Sequence, residues 1–150
     1  MIGPAVGALV CALVATCALA ATPAVNTRWN GSTSQRSGEV GFLVTAQRQV
    51  VLTLGSFRWR CNGRTAVRFF QPSATADPAR GLKVGKDGTF DGTARGVIVT
   101  QRGKRISSAR VGFNGRFETI RRARGKVRFR GGRCASPLLR WTAKPLKARR

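Results

Sequence analysis

The segment Arg122-Ala-Arg-Gly-Lys-Val-Arg-Phe-Arg130 decides the fold class, because charged residues alternate in it with small or apolar ones throughout. A period of two is that of a β-strand with one face buried and the other in water. Neighbouring charges on the outer face of such a strand lie about 7 Å apart. The segment therefore predicts a strand with a basic outer face. We call its five cations the basic strip: Arg122, Arg124, Lys126, Arg128 and Arg130.

Short segments of the same kind recur along the chain at hairpin spacing. Asn62-Gly63, Asp87-Gly88 and Asn114-Gly115 are turn signals between them, and Asp91-Gly92 predicts a further turn or bulge. No helical period follows the first twenty residues. The pattern predicts an all-β fold, a single antiparallel β-sandwich or barrel of roughly 8–10 short strands. We expect strands at residues 39–46, 49–54, 57–61, 64–70, 96–101, 106–113, 116–120, 122–130 and 138–143.

The amino end differs in composition from the rest. Residues 2–25 carry no charged side chain, and the apolar run ends in Ala18-Leu19-Ala20, an A-x-A cleavage signature. The sequence therefore predicts a signal helix that is removed near Ala20, although no basic residue precedes the run. An uncleaved membrane anchor is one alternative. Lipidation at Cys17 is another, although Thr16 fits a lipoprotein motif poorly.

The length of 150 residues is that of a single domain. We expect a secreted or envelope-associated protein, or an N-terminally anchored one if the leader stays. The expected division of the chain is a signal peptide at 1–20, a polar opening segment at 21–36, a β domain at 37–143 and a basic tail at 144–150.

Cysteine usage agrees with an exported protein. Removal of the leader takes Cys11 and Cys17 with it and leaves Cys61 and Cys134. In an oxidising compartment two such cysteines are expected to form a disulfide. We therefore predict a Cys61–Cys134 bond.

The charge balance limits the functions that the sequence supports. The chain holds 28 Lys and Arg against 5 Asp and Glu, a formal net charge of +23, and such a protein associates with polyanions at low salt. It has no His, which removes the usual general base and the commonest zinc ligand. We expect a non-enzymatic protein without metal or cofactor. The Arg bias of a GC-rich genome would produce the same charge without selection for binding.

The few residues with catalytic potential have simpler interpretations. Asp87 and Asp91 each precede a glycine and are expected in turns rather than in an acid/base pair. Glu118 alternates outward and is expected to pair with a cation on the next strand. Trp59 and Trp141 occur among apolar residues and are expected in the core. Trp29 lies in the polar opening segment and is expected to be exposed.

Several short motifs occur in a fixed order. They are Gly31-Ser-Thr-Ser-Gln35, a mid-chain Cys, a Gly-Arg-Phe before the basic strand, then Cys134 and Trp141-Thr-Ala143. The set resembles a group of small exported β-rich actinobacterial proteins in which a G-x-T-S-Q opening, a Cys pair and a terminal W-S/T-A recur. The resemblance implies export and an all-β fold, and no reaction. Ala46-Gln-Arg48 departs from the Gly-Gly type of turn expected there.

The basic strip is the predicted binding site, with Arg58, Arg60 and the basic tail assisting. Arg binds carboxylate and phosphate through two parallel hydrogen bonds. The expected partner is an anionic cell-wall polymer, an acidic polysaccharide or a phospholipid surface. Nucleic acid is favoured less, because Phe129 points away from the charges and could not stack on bases. Two alternatives stay open: a structural or accessory envelope module without a ligand, and a carbohydrate-binding module that uses an exposed Trp.

Overall fold

The computed structural model describes residues 21–73 and 81–147. Within those ranges it contains strands and no helix, and every strand pair is antiparallel. The strands are β1 (Thr27–Thr33), β2 (Glu39–Val44), β3 (Gln49–Cys61), β4 (Arg64–Pro72), β5 (Leu82–Lys83), β6 (Thr89–Val99), β7 (Arg105–Thr119), β8 (Arg122–Gly131), β9 (Cys134–Ala135) and β10 (Leu139–Pro145). The predicted all-β antiparallel fold is confirmed.

Two expectations concern parts of the chain outside the described residues. They are the signal helix at 1–20 and the last three residues of the basic tail. In the part of the chain that is described, no helix is long and apolar enough to cross a bilayer.

Eight of the strands form a closed ring. β1 pairs with β2, and the pairing continues through β3, β4, β6, β7, β8 and β10, which returns to β1. Successive long strands in the chain are thus neighbours in space, as in an up-and-down barrel, and the closed ring leaves no long free edge. Of the two predicted architectures, the strand pairing is that of a barrel.

The short strand β9 joins two strands that are not neighbours in the ring. Ala135 is paired with Arg60 of β3 on one side and with Arg130 of β8 on the other. Cys134 lies directly opposite Cys61, and the two form a disulfide. The predicted disulfide is confirmed, and it fastens β9 to β3.

Aromatic side chains fill the interior. All three Trp and seven of the eight Phe are buried. Trp29 is 1% exposed, with its ring stacked on Phe42 at a centroid distance of 5.8 Å. The prediction that Trp29 is exposed is therefore wrong: as the third residue of β1 it points inward, although the residues around it in the sequence are polar. Trp59 and Trp141 are buried as expected.

The opening segment belongs to the barrel. Residues 27–33, which the sequence placed ahead of the β domain, form β1 and are hydrogen-bonded to β2 and β10. Gly, Ser and Thr made this segment look like a loop in the sequence, although it is a strand in which only every second residue faces the core.

Two predicted turns lie inside strands. Asn114-Gly115 is part of β7 and Asp91-Gly92 is part of β6, so these predictions are wrong. Gly115 serves a different purpose, because a Cβ there would lie 2.5 Å from the indole ring of Trp141. It makes room for a core side chain. The tight turn between β7 and β8 instead occupies residues 120 and 121.

Other predicted turns are confirmed. Asn62 and Gly63 both have positive φ, 50° and 75°, as a two-residue hairpin of this composition requires. At Asp87-Gly88 the carboxylate accepts hydrogen bonds from the Thr89 backbone N–H (3.1 Å) and hydroxyl (2.6 Å). These two hydrogen bonds lower the pKa of Asp87 below its ordinary value of 3.8, and the bond from the Thr89 hydroxyl has the larger effect.

The turns after β2 and after β6 share one hydrogen-bond pattern. Arg48 N–H donates to the Thr45 carbonyl (3.0 Å), and Gly103 N–H donates to the Thr100 carbonyl (2.9 Å). The donor residue is left-handed in both turns, with φ of 56° at Arg48 and 80° at Gly103. Glycine adopts this conformation freely and arginine does not. The turn that departs from the Gly-rich pattern is thus strained at Arg48.

Candidate anion-binding site

The basic strip lies where the alternation placed it. Its five cations are exposed on the outer face of β8, and the residues between them face the interior. Val127 and Phe129 are fully buried. The strand and its orientation are confirmed, and the binding role of the strip stays a prediction.

A carboxylate divides the strip into two halves. Glu118 of β7 forms an ion pair with Arg122 (Nε to Oε2, 3.2 Å) and a second with Arg124. The expectation that Glu118 pairs with a cation on the next strand is confirmed. Both arginine side chains are more than half exposed, so water screens these pairs. Glu118 nevertheless supplies a negative charge to the end of the strip that contains Arg122 and Arg124.

The other end continues sideways across the barrel. Arg130 of β8 lies directly opposite Arg110 of β7, which lies directly opposite Arg95 of β6. Directly opposite residues in an antiparallel sheet share a face, and like charges there destabilise the sheet. Three arginines side by side are thus an unfavourable arrangement for the fold.

The register also brings Arg60 into this line. Ala135 of β9 separates Arg130 from Arg60, and all three are exposed. We call Arg95, Arg110, Arg130 and Arg60 the transverse row; with Ala135 it crosses five strands. Arg58, the other predicted helper, is exposed on the same face of β3 two residues away.

An open groove of about 880 Å³ lies beside the transverse row. Its floor is Gly112, where an added Cβ would meet nothing nearer than 4.0 Å. Gly112 is flanked in register by Arg128 and Thr93. Four arginines line the groove, and no acidic residue does: Arg95, Arg110, Arg128 and Arg130. Within residues 21–73 and 81–147, the ion pairs found involve none of these four.

A second groove, of about 670 Å³, lies toward the other end of the strip. Five cations line it, and Asp91 lines it as well: Arg116, Arg122, Arg124, Lys126 and Arg140. Because Glu118 is bound to Arg124 beside it, this groove has mixed charge. The groove around Gly112 is lined by cations without a carboxylate, whereas this groove is lined by both.

The Ser-Thr-Ser-Gln segment has a structural role. Gln35 Oε1 accepts a hydrogen bond from the Arg58 backbone N–H (2.8 Å), and its Nε2 donates to the Arg58 carbonyl (3.1 Å). Ser34 forms a similar pair with the backbone of Arg140. The side chain of Gln35 therefore continues the backbone hydrogen bonding of β3 beyond Glu39, the first residue of β2. These hydrogen bonds give Ser34 and Gln35 a structural explanation.

The described acidic residues do not gather into a reactive or metal-binding cluster. In the described ranges no group of three or more Cys, Asp or Glu side chains is placed to hold a metal ion. Asp87 is engaged in its turn and Glu118 in its ion pairs. Asp91 lies in β6 opposite Asn114.

Sequence reasoning missed two of the arginines that line the groove, Arg95 and Arg110. Each stands in a strand with no second cation two residues away, so neither belongs to a run of charge. Only the register of β6, β7 and β8 places them beside Arg130. The alternation of Ser108, Arg110 and Gly112 is the one local sign that Arg110 faces outward.

Comparison of the chain with protein-family models, with curated proteins and with solved structures gives no match.

Proposed function

We propose that this is an exported, non-enzymatic β-barrel domain that associates electrostatically with an anionic polymer or surface. The observation that carries the proposal is the groove around Gly112, where four arginines converge without a neighbouring carboxylate. Opposed like charges reduce stability. A ligand that supplies the missing negative charge offsets this repulsion when it binds.

The disulfide supports the exported location, because such bonds persist in oxidising compartments. The packed interior supports binding on the outside of the barrel: ten large aromatic side chains occupy the space that a ligand would need. The carbohydrate-binding alternative loses its basis, since Trp29, Trp59 and Trp141 are each no more than 2% exposed.

The test compares two variants that lose the same charge. One carries Arg110→Ser, Arg128→Ser and Arg130→Ser in the groove. The control carries Arg28→Ser, Arg36→Ser and Lys86→Ser, which change exposed residues outside it. Retention of each on heparin and on isolated anionic cell wall is measured across a salt series.

The groove variant should elute at much lower salt than the control. The slope of log affinity against log salt should fall by about 2, since each lost contact removes about 0.7 on a flexible polyanion. If the two variants elute together, net charge alone governs retention. A structural module without a ligand of its own would then be the better proposal.

A further inference from the structure

We infer that the ligand of the transverse row is a single flexible chain bearing phosphate groups, which wraps around the barrel from Arg95 to Arg60. This inference rests on the proposed function and specifies its partner. The juxtaposition behind it is the continuous register from β6 through β7, β8 and β9 to β3.

The curvature of the barrel distinguishes a chain from a flat surface. β9 lies outside the eight-stranded ring and joins β8 directly to β3, so the pairing along the row closes through six strands: β3, β4, β6, β7, β8 and β9. The row crosses five of these six strands and therefore follows most of the circumference of the barrel. A bilayer can contact only a tangent strip of such a surface. A flexible chain can follow the row over its whole length.

The grouping of the arginines favours phosphate over carboxylate. One guanidinium fork satisfies both oxygens of a carboxylate, which lie in one plane. A phosphate presents several acceptor oxygens in a tetrahedral arrangement and can accept hydrogen bonds from different sides. At Gly112 the arginines come from two sides, with Arg128 directly opposite the glycine and Arg110 and Arg130 in the adjoining row.

The rest of the surface indicates recognition of charge alone. Among the described residues, the exposed large hydrophobic side chains are all aliphatic. Proteins that bind single-stranded nucleic acid add exposed aromatics on which the bases stack. We therefore expect the phosphate chain to bind without a base or a sugar ring to stack.

The experiment uses inorganic polyphosphate fractionated by length, with polygalacturonate and anionic phospholipid vesicles as the other probes. Four strand-to-strand steps of about 4.8 Å give the row a length of about 19 Å. The variant Arg58→Ser/Arg60→Ser removes the two cations at the β3 end of the row and leaves in place all four arginines that line the groove. The charge-matched control is Arg28→Ser/Arg36→Ser.

For polyphosphate much longer than about 19 Å, the end variant should reduce the salt slope by about 1.4 relative to wild type, and the control should leave it nearly unchanged. For fragments too short to reach from the groove to β3, the end variant and the control should bind alike. Polygalacturonate and vesicles should show no difference between end variant and control.

Other results overturn the inference in distinguishable ways. If the triple groove variant weakens binding but the end variant equals its control at every length, the groove binds anions locally and no chain follows the row. If vesicles or polygalacturonate bind more tightly than polyphosphate and respond equally to the end variant, the row does not select a phosphate chain. If the groove variant also equals its control, the proposed function itself fails.

Discussion

Arg110 has a cation directly opposite it on each neighbouring strand, and this arrangement should reduce the stability of the barrel. Arg95 lies on one side of it and Arg130 on the other. We predict that Arg110→Gln, which keeps a polar side chain of similar reach, increases the free energy of unfolding. The same substitution removes the central cation of the transverse row.

The magnitude follows from Coulomb's law. Taking roughly 7 Å between guanidinium groups in water, each like-charge pair contributes about 0.6 kcal/mol of repulsion and the two pairs about 1.2 kcal/mol. Screening leaves about four-fifths of this at 0.01 M salt and about two-fifths at 0.15 M. The expected gain in stability is therefore about 0.9 kcal/mol at low salt and about 0.5 kcal/mol at 0.15 M.

Urea denaturation at the two salt concentrations measures the effect. Arg28→Gln is the control, because Arg28 also faces outward on a strand but lies opposite Leu43. The control corrects for the general relief of lowering the net charge. If Arg110→Gln gains no more than Arg28→Gln at low salt, the guanidinium groups spread far enough apart to avoid one another. The transverse row would then need no counter-charge from a ligand.

Three further predictions concern stability, each measured by urea denaturation. Gly115→Ala should destabilise the barrel by about 1–3 kcal/mol, because the added Cβ would lie 2.5 Å from the buried indole ring of Trp141. Gly112→Ala on the same strand should be neutral or stabilising, and equal effects of the two substitutions would contradict the packing at Gly115. Arg48→Gly should stabilise the protein by about 1 kcal/mol through relief of its left-handed φ, and a loss of stability would show that the side chain matters more than the backbone. Replacing Cys61 and Cys134 together by Ser should lower the free energy of unfolding by about 4 kcal/mol, the chain-entropy value for a sequence separation of 73 residues. A loss below about 1 kcal/mol would mean that the unfolded chain is already constrained without the disulfide.

Local patterns predicted the parts of the fold that local physics controls. Alternation in residues 122–130 identified β8 and its buried face, and Asn62-Gly63 identified a hairpin whose two residues both have positive φ. The same approach failed at Gly115, because a glycine that admits an indole ring looks identical in sequence to one that makes a turn. It failed at Trp29, since polar neighbours say little about the inward face of a strand.

The site was predicted less completely than the fold, because it depends on which strands are neighbours. The basic strip runs along one strand and is visible in the sequence. The transverse row runs across strands, and it exists only because Arg95, Arg110 and Arg130 share one register. Glu118 likewise reduces the net charge at Arg122 and Arg124 through ion pairs across the β7–β8 turn.

The pairing of β10 with both β1 and β8 has a consequence for the order in which the chain folds. The ring closes through β10 (Leu139–Pro145), which follows all the other ring strands in the sequence. Contacts between strands as far apart in sequence as β1 and β10 carry a loop-closure cost and form slowly. A ribosome or a translocation channel that still holds residues 139–145 therefore holds an open sheet, with the edges of β1 and β8 unpaired. Completion of the barrel must wait until β10 has emerged.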